Sequence, residues 1–535
     1  MHRLFSKNRV LLLALVILII YIVLAIKLIT LTFTTNTKPT NFSYIESNKP
    51  QILDRNNNLL AANIPVSNIF AHPKKIEDKQ NVARHIANII PTASYRQILS
   101  LLNQNKNFVW LSKKVTPNQE AKVLALGYKG IDSQKLYKRF FPYSNLTSHV
   151  IGYVDEDNIG CAGIERYAQN LFNSSESINT SIDIKIQNIV SEQLDIYIEK
   201  FTAEGGVGIV VDATNSEVVA LVSKPDFDPN NFNKSSSTAI FNKASLGVYE
   251  IGSVFKPVIM AIALDSNKVR LNDLYQLDSY RVGRYLIRDY YENKGWSSVG
   301  QILVRSSNTG MAQIAVEVGV DILYEYFSNL GLFNKTSIEI HEKGRPLYID
   351  KKDCKDLNLV TISYGHGISI SPLHYVQAMI PIANGGIMRP VTLFPKQDSN
   401  IVRVLKEQTS KDMMKLMRLV VTHGSGKRAN VDGQLVAGKT GTANKAVKGG
   451  YDKKARYSSF IGIFPYHAPK YIVYVMLDNP RGIKETFGIA TASMTAVPCV
   501  GEIITKIADI NNLPSYEDNP KELEYLLEQK EDASL

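Results

Sequence analysis

Cysteine is scarce in this chain, and its three residues lie far apart, at Cys161, Cys354 and Cys499. No C-x-x-C pair and no zinc-type spacing occurs, and no cluster of metal ligands is visible. We therefore predict no bound metal. The spacing neither requires a disulfide nor rules out a pairing of two of the three.

Signatures of two other protein classes are also missing. The net charge of +11 is spread along the chain without arginine-rich runs or a nucleic-acid-binding motif. We therefore predict no nucleic-acid partner and only a mild attraction to an anionic membrane or wall polymer. Because no G-x-S-x-G elbow occurs, His366 is interpreted as a loop histidine and not as a member of a Ser-His-Asp triad.

Long apolar runs are rare too, and the one that approaches membrane length lies near the start. Val10–Ile26 is unbroken, Lys27 interrupts it, and Leu28–Leu31 resumes it. Three basic residues precede the run, which favours a cytoplasmic N-terminus. We predict an uncleaved single-pass anchor at residues 10–31, with residues 1–9 in the cytoplasm. In a bacterium the anchor would lie in the inner membrane and the bulk of the chain in the periplasm.

Three short motifs carry most of the information: Ser253-Val-Phe-Lys256, Ser306-Ser307-Asn308 and Lys439-Thr440-Gly441-Thr442. Each alone is a weak signal. In this order, about 53 and 133 residues apart (306−253; 439−306), they form the S-x-x-K, S-x-N and K-T-G set. That set is typical of enzymes whose serine is acylated by D-alanyl peptides or β-lactams.

The first motif supplies a nucleophile and its base. A serine hydroxyl needs a base within hydrogen-bond reach, and Lys256 lies one helical turn after Ser253. The apolar run Val258–Leu264 predicts a buried helix that begins at or just before Ser253. Burial and nearby cations lower the pKa of a lysine, so Lys256 can accept the serine proton. The N–H of Ser253 is a candidate oxyanion donor.

The other two motifs supply polar groups for a substrate. We expect Ser306 and Asn308 to relay a proton to the leaving amine and to hold the substrate amide. The apolar run Leu435–Ala437 predicts an edge strand that lines a cleft just before the third motif. In that motif, we expect Lys439 to supply positive charge for an acidic substrate, and Thr440 and Thr442 to offer hydroxyls to its carboxylate. Gly441 would leave room for the substrate backbone. The N–H of Thr442 is the candidate for the second oxyanion donor.

An ATPase is a competing interpretation from another class. Gly433–Thr440 matches the Walker A pattern, and Ile472–Asp478 is similar to a Walker B strand. However, the residues before Gly433 are polar and those after Thr440 start a helix badly. The Asp478 strand is also predicted to pair with Phe460–Phe464 as an antiparallel hairpin. We therefore reject a phosphate-binding loop.

The remaining pattern predicts an α+β protein with an N-terminal pedestal domain at residues 40–190. Two helices, Lys79–Ile90 and Ser94–Asn103, are predicted there. A third, Ile184–Phe201, follows Asp183 as its cap. A second domain at residues 200–510 contains all three motifs.

The second domain opens with a predicted hairpin, Gly206–Asp212 and Glu217–Val222. Strands at both ends of the domain predict one central antiparallel sheet flanked by helices. Residues 515–535 form a polar tail, in which Leu523–Leu527 is either a short amphipathic helix or disordered.

With these motifs the chain closely resembles the class B penicillin-binding proteins, from about Gln51 to about Ile510. The resemblance extends beyond the motifs to pedestal and transpeptidase segments: Ile52–Asn56 with Leu60-Ala61, His149–Val154, Gly163–Glu165, Pro225–Asn230 and Ser363–Ile368.

The resemblance implies an elongated pedestal and a penicillin-binding transpeptidase domain. It further implies that Ser253 is acylated by a stem peptide or a β-lactam, with Lys256 as base. Ser306 with Asn308 and Lys439–Thr442 would form the second and third motifs. No cofactor is implied.

The stretch after K-T-G resembles the septal, division-specific branch, through Lys439–Lys445, Ser459-Phe460, Val475–Asp478, Ala490–Ala492 and Pro498. That branch cross-links the septal wall with a glycosyltransferase and small bitopic division proteins, which the anchor and pedestal would contact. The elongation branch is the first alternative. A D,D-carboxypeptidase, a β-lactamase, a β-lactam sensor and an inactive scaffold are the others.

Four departures from the family pattern remove no reacting group. Ile251 stands where proline is usual, Lys49-Pro50 replaces Arg-Gly, Asn57 replaces glycine and Met494 replaces tryptophan. They bear on pedestal contacts, loop rigidity and β-lactam affinity.

Overall fold

The computed structural model describes residues 7–34, 49–170, 177–290, 293–395, 401–447 and 450–528. Two compact units are distinguished: residues 1–47 with 66–136, and residues 48–65 with 137–535. Among the described residues, no helix has the length and hydropathy needed to cross a membrane. Parts of three predicted segments lie outside the described residues: 1–6 of the cytoplasmic N-terminus, 40–48 of the pedestal domain and 529–535 of the polar tail.

The secondary structure alternates helices and strands along the chain. The helices are α1 Lys7–Thr34, α2 Lys79–Ile89, α3 Tyr95–Leu102, α4 Pro117–Leu124, α5 Ser148–Ile151, α6 Gly163–Tyr167, α7 Ile184–Lys200, α8 Ser237–Ile240, α9 Lys256–Asp265, α10 Val299–Arg305, α11 Asn308–Val318, α12 Val320–Asn329, α13 Asp356–Ser363, α14 Pro372–Ala383, α15 Glu407–Thr422 and α16 Ala496–Asn511. The strands are β1 Ile52–Leu53, β2 Leu59–Ala71, β3 Val109–Val115, β4 Ile131–Phe140, β5 Ile178–Asn179, β6 Gly205–Asp212, β7 Val218–Lys224, β8 Leu274–Gln276, β9 Tyr280–Val282, β10 Tyr285–Ile287, β11 Trp296–Ser298, β12 Leu347–Tyr348, β13 Ile368–Ser369, β14 Ile387–Met388, β15 Val402–Arg403, β16 Ala437–Val447, β17 Gly450–Phe464 and β18 Tyr471–Asp478.

The smaller unit packs α2, α3 and α4 with β3 and the second half of β2. Asp78 caps α2 by accepting from Asn81 N at 3.0 Å, and Ser94 opens α3 with a capping box. These caps satisfy backbone donors that a helix start leaves free. The two helices predicted here are confirmed. Their apolar faces form one core with residues that include Ile69, Val82, Ile86, Ile98 and Leu102.

The larger unit is built on the antiparallel sheet β16-β17-β18-β6-β7. Side chains alternate between its faces, as the pleat requires. Val210 packs in the cluster that includes residues of α7 and α16, whereas Ile209 packs in the cluster that includes residues of α9 and α14. The central antiparallel sheet with flanking helices is therefore confirmed.

Local predictions in this unit hold as well. β6 pairs with β7, and β17 pairs with β18, both antiparallel. Asp183 caps α7 by accepting from Lys185 N and Ile186 N. Lys439 and Thr440 lie inside β16 and not at a helix start, which agrees with rejection of a phosphate-binding loop. All three cysteines are free.

Two of the sequence departures have a structural reason. Asn57 has a φ of +64°, a left-handed conformation that asparagine tolerates better than most residues. Lys49 donates to Glu165 at 3.0 Å, and Arg139 donates to the same carboxylate at 2.6 Å. Glu165 and Arg139 are fully buried, so this ion pair is a structural element of the larger unit.

For Leu523–Leu527, either a short amphipathic helix or disorder was predicted, and the structure shows an ordered segment. A 3₁₀ turn spans Pro520–Leu526, and Leu523 and Leu526 are buried in the core of the larger unit. The disordered alternative is wrong for the described residues up to 528, because two leucines three positions apart bury their side chains on one face.

Candidate active site

Ser253 lies in a 3₁₀ turn, Gly252–Phe255, that leads directly into α9. The predicted helix start at or just before Ser253 is thus confirmed, with a tighter first turn than expected. Pro257 lies in the first turn of α9, where a missing N–H costs nothing. Tyr375 Oη donates to Val254 O at 2.5 Å and fixes the turn from α14.

Lys256 is fully buried at the start of α9, and its Nζ is directed at the second motif. It donates to Ser306 O at 2.5 Å, to Asn308 Oδ1 at 2.8 Å and to Ser306 Oγ at 3.2 Å. The structure therefore brings the first two motifs together through one side chain.

The second motif is the junction between α10 and α11. Ser306 has a φ of +57° as it ends α10, and Ser307 caps α11. Asp289 holds this junction: its carboxylate accepts from Ser307 Oγ at 2.8 Å, from Asn308 N at 2.5 Å and from Thr309 N at 2.9 Å. Sequence reasoning missed Asp289, because an isolated aspartate in a polar stretch carries no motif signal.

The third motif lies within the edge strand β16, which starts at Ala437. An edge strand was predicted, but placing it at Leu435–Ala437 ahead of the motif was wrong, since the strand includes the motif. Lys439 is buried, and its Nζ donates to Ser306 Oγ at 2.9 Å. Thr440 Oγ1 shares a hydrogen bond of 2.6 Å with Ser425 Oγ, and Thr442 is exposed.

Gly441 has a packing role that the sequence did not indicate. A Cβ there would lie 2.7 Å from Val254 Cγ1 and 2.9 Å from Ile251 O. The expectation was that this glycine makes room for a substrate backbone, yet the space is filled by the turn that carries Ser253. Likewise, a Cβ at Gly252 would lie 3.1 Å from Ala443 Cβ. The turn that carries Ser253 therefore packs closely against the strand that carries the third motif.

Burial lowers the pKa of both lysines. It holds the pKa of Lys256 well below its ordinary value, and the charge of Lys439 lowers it further, while Asp289 opposes the shift. Burial also lowers the pKa of Lys439 to about 7. A lysine base that is neutral near neutral pH is what nucleophilic catalysis by a serine requires. His366 lies in a loop, as predicted.

Comparisons with known proteins cover most of the chain. Residues 206–498 match the penicillin binding protein transpeptidase domain, and residues 44–184 match the penicillin-binding protein dimerisation domain. A probable peptidoglycan D,D-transpeptidase FtsI of Caulobacter vibrioides is 32% identical over 484 residues, which cover 87% of this chain and 81% of that one. The peptidoglycan D,D-transpeptidase FtsI of Escherichia coli K12 is 26% identical, covering 84% and 82%.

A solved structure shares the fold. The crystal structure of a peptidoglycan synthetase from Bifidobacterium adolescentis superposes with a TM-score of 0.70 at 20% identity, covering 88% of this chain and 96% of that one. At this identity the similarity establishes the mixed α+β fold.

Proposed function

Because the chain belongs to the penicillin-binding protein transpeptidase family, we propose that it is a peptidoglycan D,D-transpeptidase that works through an acyl-enzyme on Ser253. The observation that carries this proposal is the convergence of Lys256 and Lys439 on Ser306 Oγ, at 3.2 and 2.9 Å. These contacts support the proposed roles of Lys256 as base, Ser306 as proton relay and Lys439 as carboxylate-binding group, because Lys256 directly follows the turn that carries Ser253.

In the first half-reaction, neutral Lys256 takes the proton of Ser253 Oγ, and Oγ attacks the carbonyl carbon of the penultimate D-alanine. The N–H groups of Ser253 and Thr442 stabilise the oxyanion. The intermediate then breaks its C–N bond. The departing D-alanine nitrogen receives a proton through Ser306 Oγ, which leaves an ester on Ser253.

In the second half-reaction, an amine of a neighbouring stem peptide attacks the ester carbonyl. The C–O bond breaks, the amine proton returns to Ser253 Oγ by the same route, and an amide cross-link remains. Asn308 holds the substrate amide. Lys439 with the hydroxyls of Thr440 and Thr442 binds the terminal carboxylate, which a β-lactam imitates.

The proposal is tested by asking whether the acyl group on Ser253 is transferred to an amine or to water. The purified chain is given a donor peptide ending in D-Ala-D-Ala and an amino-acid acceptor, beside a Ser253→Ala control. Transfer to the amine by the parent, with none by the control, supports the proposal. Release to water alone indicates a carboxypeptidase, and fast turnover of penicillin indicates a β-lactamase. A folded parent that gives neither product nor penicillin adduct contradicts the proposal.

We further propose that the enzyme serves the septal branch and is anchored by α1. The names of the two FtsI relatives support the branch. Large apolar side chains are exposed on α1, among them Leu11 at 70%, Ile17 at 48% and Ile26 at 55%, and a bilayer would cover such a surface. The septal glycosyltransferase and bitopic division proteins would contact the anchor and the pedestal, whose proposed domain spans residues 40–190.

Depletion in the encoding bacterium distinguishes the branches. Loss of a septal enzyme yields filaments that elongate without dividing, whereas loss of an elongation enzyme yields rounded cells. The anchor is tested by fractionation: the full chain should sediment with membranes, and a chain starting at residue 35 should not. A full chain that stays in the soluble fraction contradicts the anchor.

A further inference from the structure

The C-terminal strap, which we define as residues 514–528, follows α16 and packs along elements that lead into two of the three motifs. Its first part lies against the loop before β16. Tyr516 N donates to Gly433 O at 2.9 Å, and the rings of Tyr516 and His467 meet edge to face at 4.5 Å. The strap is therefore fixed before it reaches α15.

The middle of the strap is tied to the strand that carries Lys439. Asp518 forms an ion pair with Arg418, a residue of α15 that is 1% exposed. The same guanidinium donates to Val436 O at 2.7 Å, one residue before β16 begins. Arg418 is thereby held between the strap and the start of the K-T-G strand.

The end of the strap is tied to the helix that ends at Ser306. Gln301 Nε2 donates to Leu527 O at 2.9 Å, and Ser298 Oγ donates to Leu526 O at 3.2 Å. A Cβ at Gly300 would lie only 2.3 Å from Leu526 O. The first turn of α10 is therefore shaped to receive this carbonyl, and α10 runs directly from there to Ser306.

From these contacts we infer that the C-terminal strap positions Ser306 and Lys439 relative to each other, so that Leu526, Gly300 and Asp518 are positioning residues for the acylation step. This inference rests on the proposed function. A single segment braces the helix before the second motif and, through Arg418, the strand of the third. Loss of the brace separates two groups that meet at 2.9 Å.

The test compares Gly300→Ala and Leu526→Ala with Tyr525→Ala, a strap residue whose side chain is 55% exposed. The readouts are the rate constant of the acylation step with fluorescent penicillin, the affinity of the initial complex, and the melting temperature. We expect both variants to acylate at least about tenfold more slowly, because misplacement by about 1 Å costs up to about a hundredfold. The affinity of the initial complex should change little, Tyr525→Ala should match the parent, and Leu526→Met should restore the rate.

Folded Gly300→Ala and Leu526→Ala proteins that acylate at the parent's rate overturn the inference. If either fails to fold, Asp518→Asn decides, because Asp518 is partly exposed and its loss leaves the leucines buried; a parental rate then overturns it. A parent that takes no label at all contradicts the proposed function instead, so the two failures are distinguishable.

Discussion

Lys256 and Lys439 donate to the same oxygen, Ser306 Oγ, at 3.2 and 2.9 Å. Two buried ammonium groups this close repel each other, so burial and proximity together favour loss of a proton from the pair. The shared acceptor thus favours a neutral lysine, which the proposed role of Lys256 as base requires.

The acylation rate should fall as pH decreases through the pKa of Lys256, since the base must be neutral. This fall forms the acidic limb of the pH–rate profile. Lys439→Gln removes a positive neighbour, which raises the pKa of Lys256 and moves the acidic limb to higher pH. Lys439→Arg keeps the charge and should not move the limb upward. The pH profile of penicillin acylation is the measurement. An unmoved limb in Lys439→Gln contradicts the coupling.

Asp289→Asn should move the same limb the opposite way. The carboxylate of Asp289 raises the pKa of Lys256, so its removal lowers that pKa and extends activity to lower pH. The plateau rate should also fall, by about tenfold, because the carboxylate holds the backbone of Asn308 and Thr309. A variant that loses rate without any shift of the limb shows a purely structural role for Asp289.

Gly441→Ala should slow acylation without abolishing folding. The new Cβ must displace Ile251 O or Val254 Cγ1, which lie 2.9 and 2.7 Å from its position. Overpacking of this kind costs about 1–3 kcal/mol and shifts backbone, here the turn that carries Ser253. The measurement is the acylation rate together with the melting temperature. A variant with the parent's rate shows that the turn tolerates the displacement.

Glu165→Gln should destabilise the chain by about 3 kcal/mol or more, because it leaves the buried Arg139 without its charge partner. Glu407→Gln is the matched control: its partner is Lys411, and both side chains are 61% exposed, so water screens the pair and little or no loss of stability is expected. Urea unfolding monitored by fluorescence compares the two. Equal small losses would show that the buried pair is not needed for stability.

The sequence predicted the family and the transpeptidase class of enzyme, and both are confirmed. It also predicted the sheet, the helix that Asp183 caps and the β17–β18 hairpin. These features depend on local periodicity, capping residues and turn residues, which can be recognised within short segments of sequence. The anchor, the domain limits and the individual roles of the site residues stay predictions.

The parts that sequence reasoning missed depend on long-range contacts. Asp289 reaches the second motif from a separate loop, and Gly441 is required by a turn nearly two hundred residues away in the chain. The extent of β16 was misjudged because its pairing with β17, and not its own apolar pattern, sets how far the strand runs. The tail was predicted to be polar because most of its side chains are polar, yet among its described residues Leu523 and Leu526 are buried in the core and Leu527 packs against it.

The most direct test of the central claim is to locate the covalent adduct. The chain is incubated with penicillin, digested, and mapped by mass spectrometry beside Ser253→Ala and Lys256→Ala variants. We predict one penicilloyl group on the peptide that contains Ser253 in the parent, none in Ser253→Ala, and greatly slowed formation in Lys256→Ala. An adduct on another residue, or an unchanged rate in Lys256→Ala, would contradict the account.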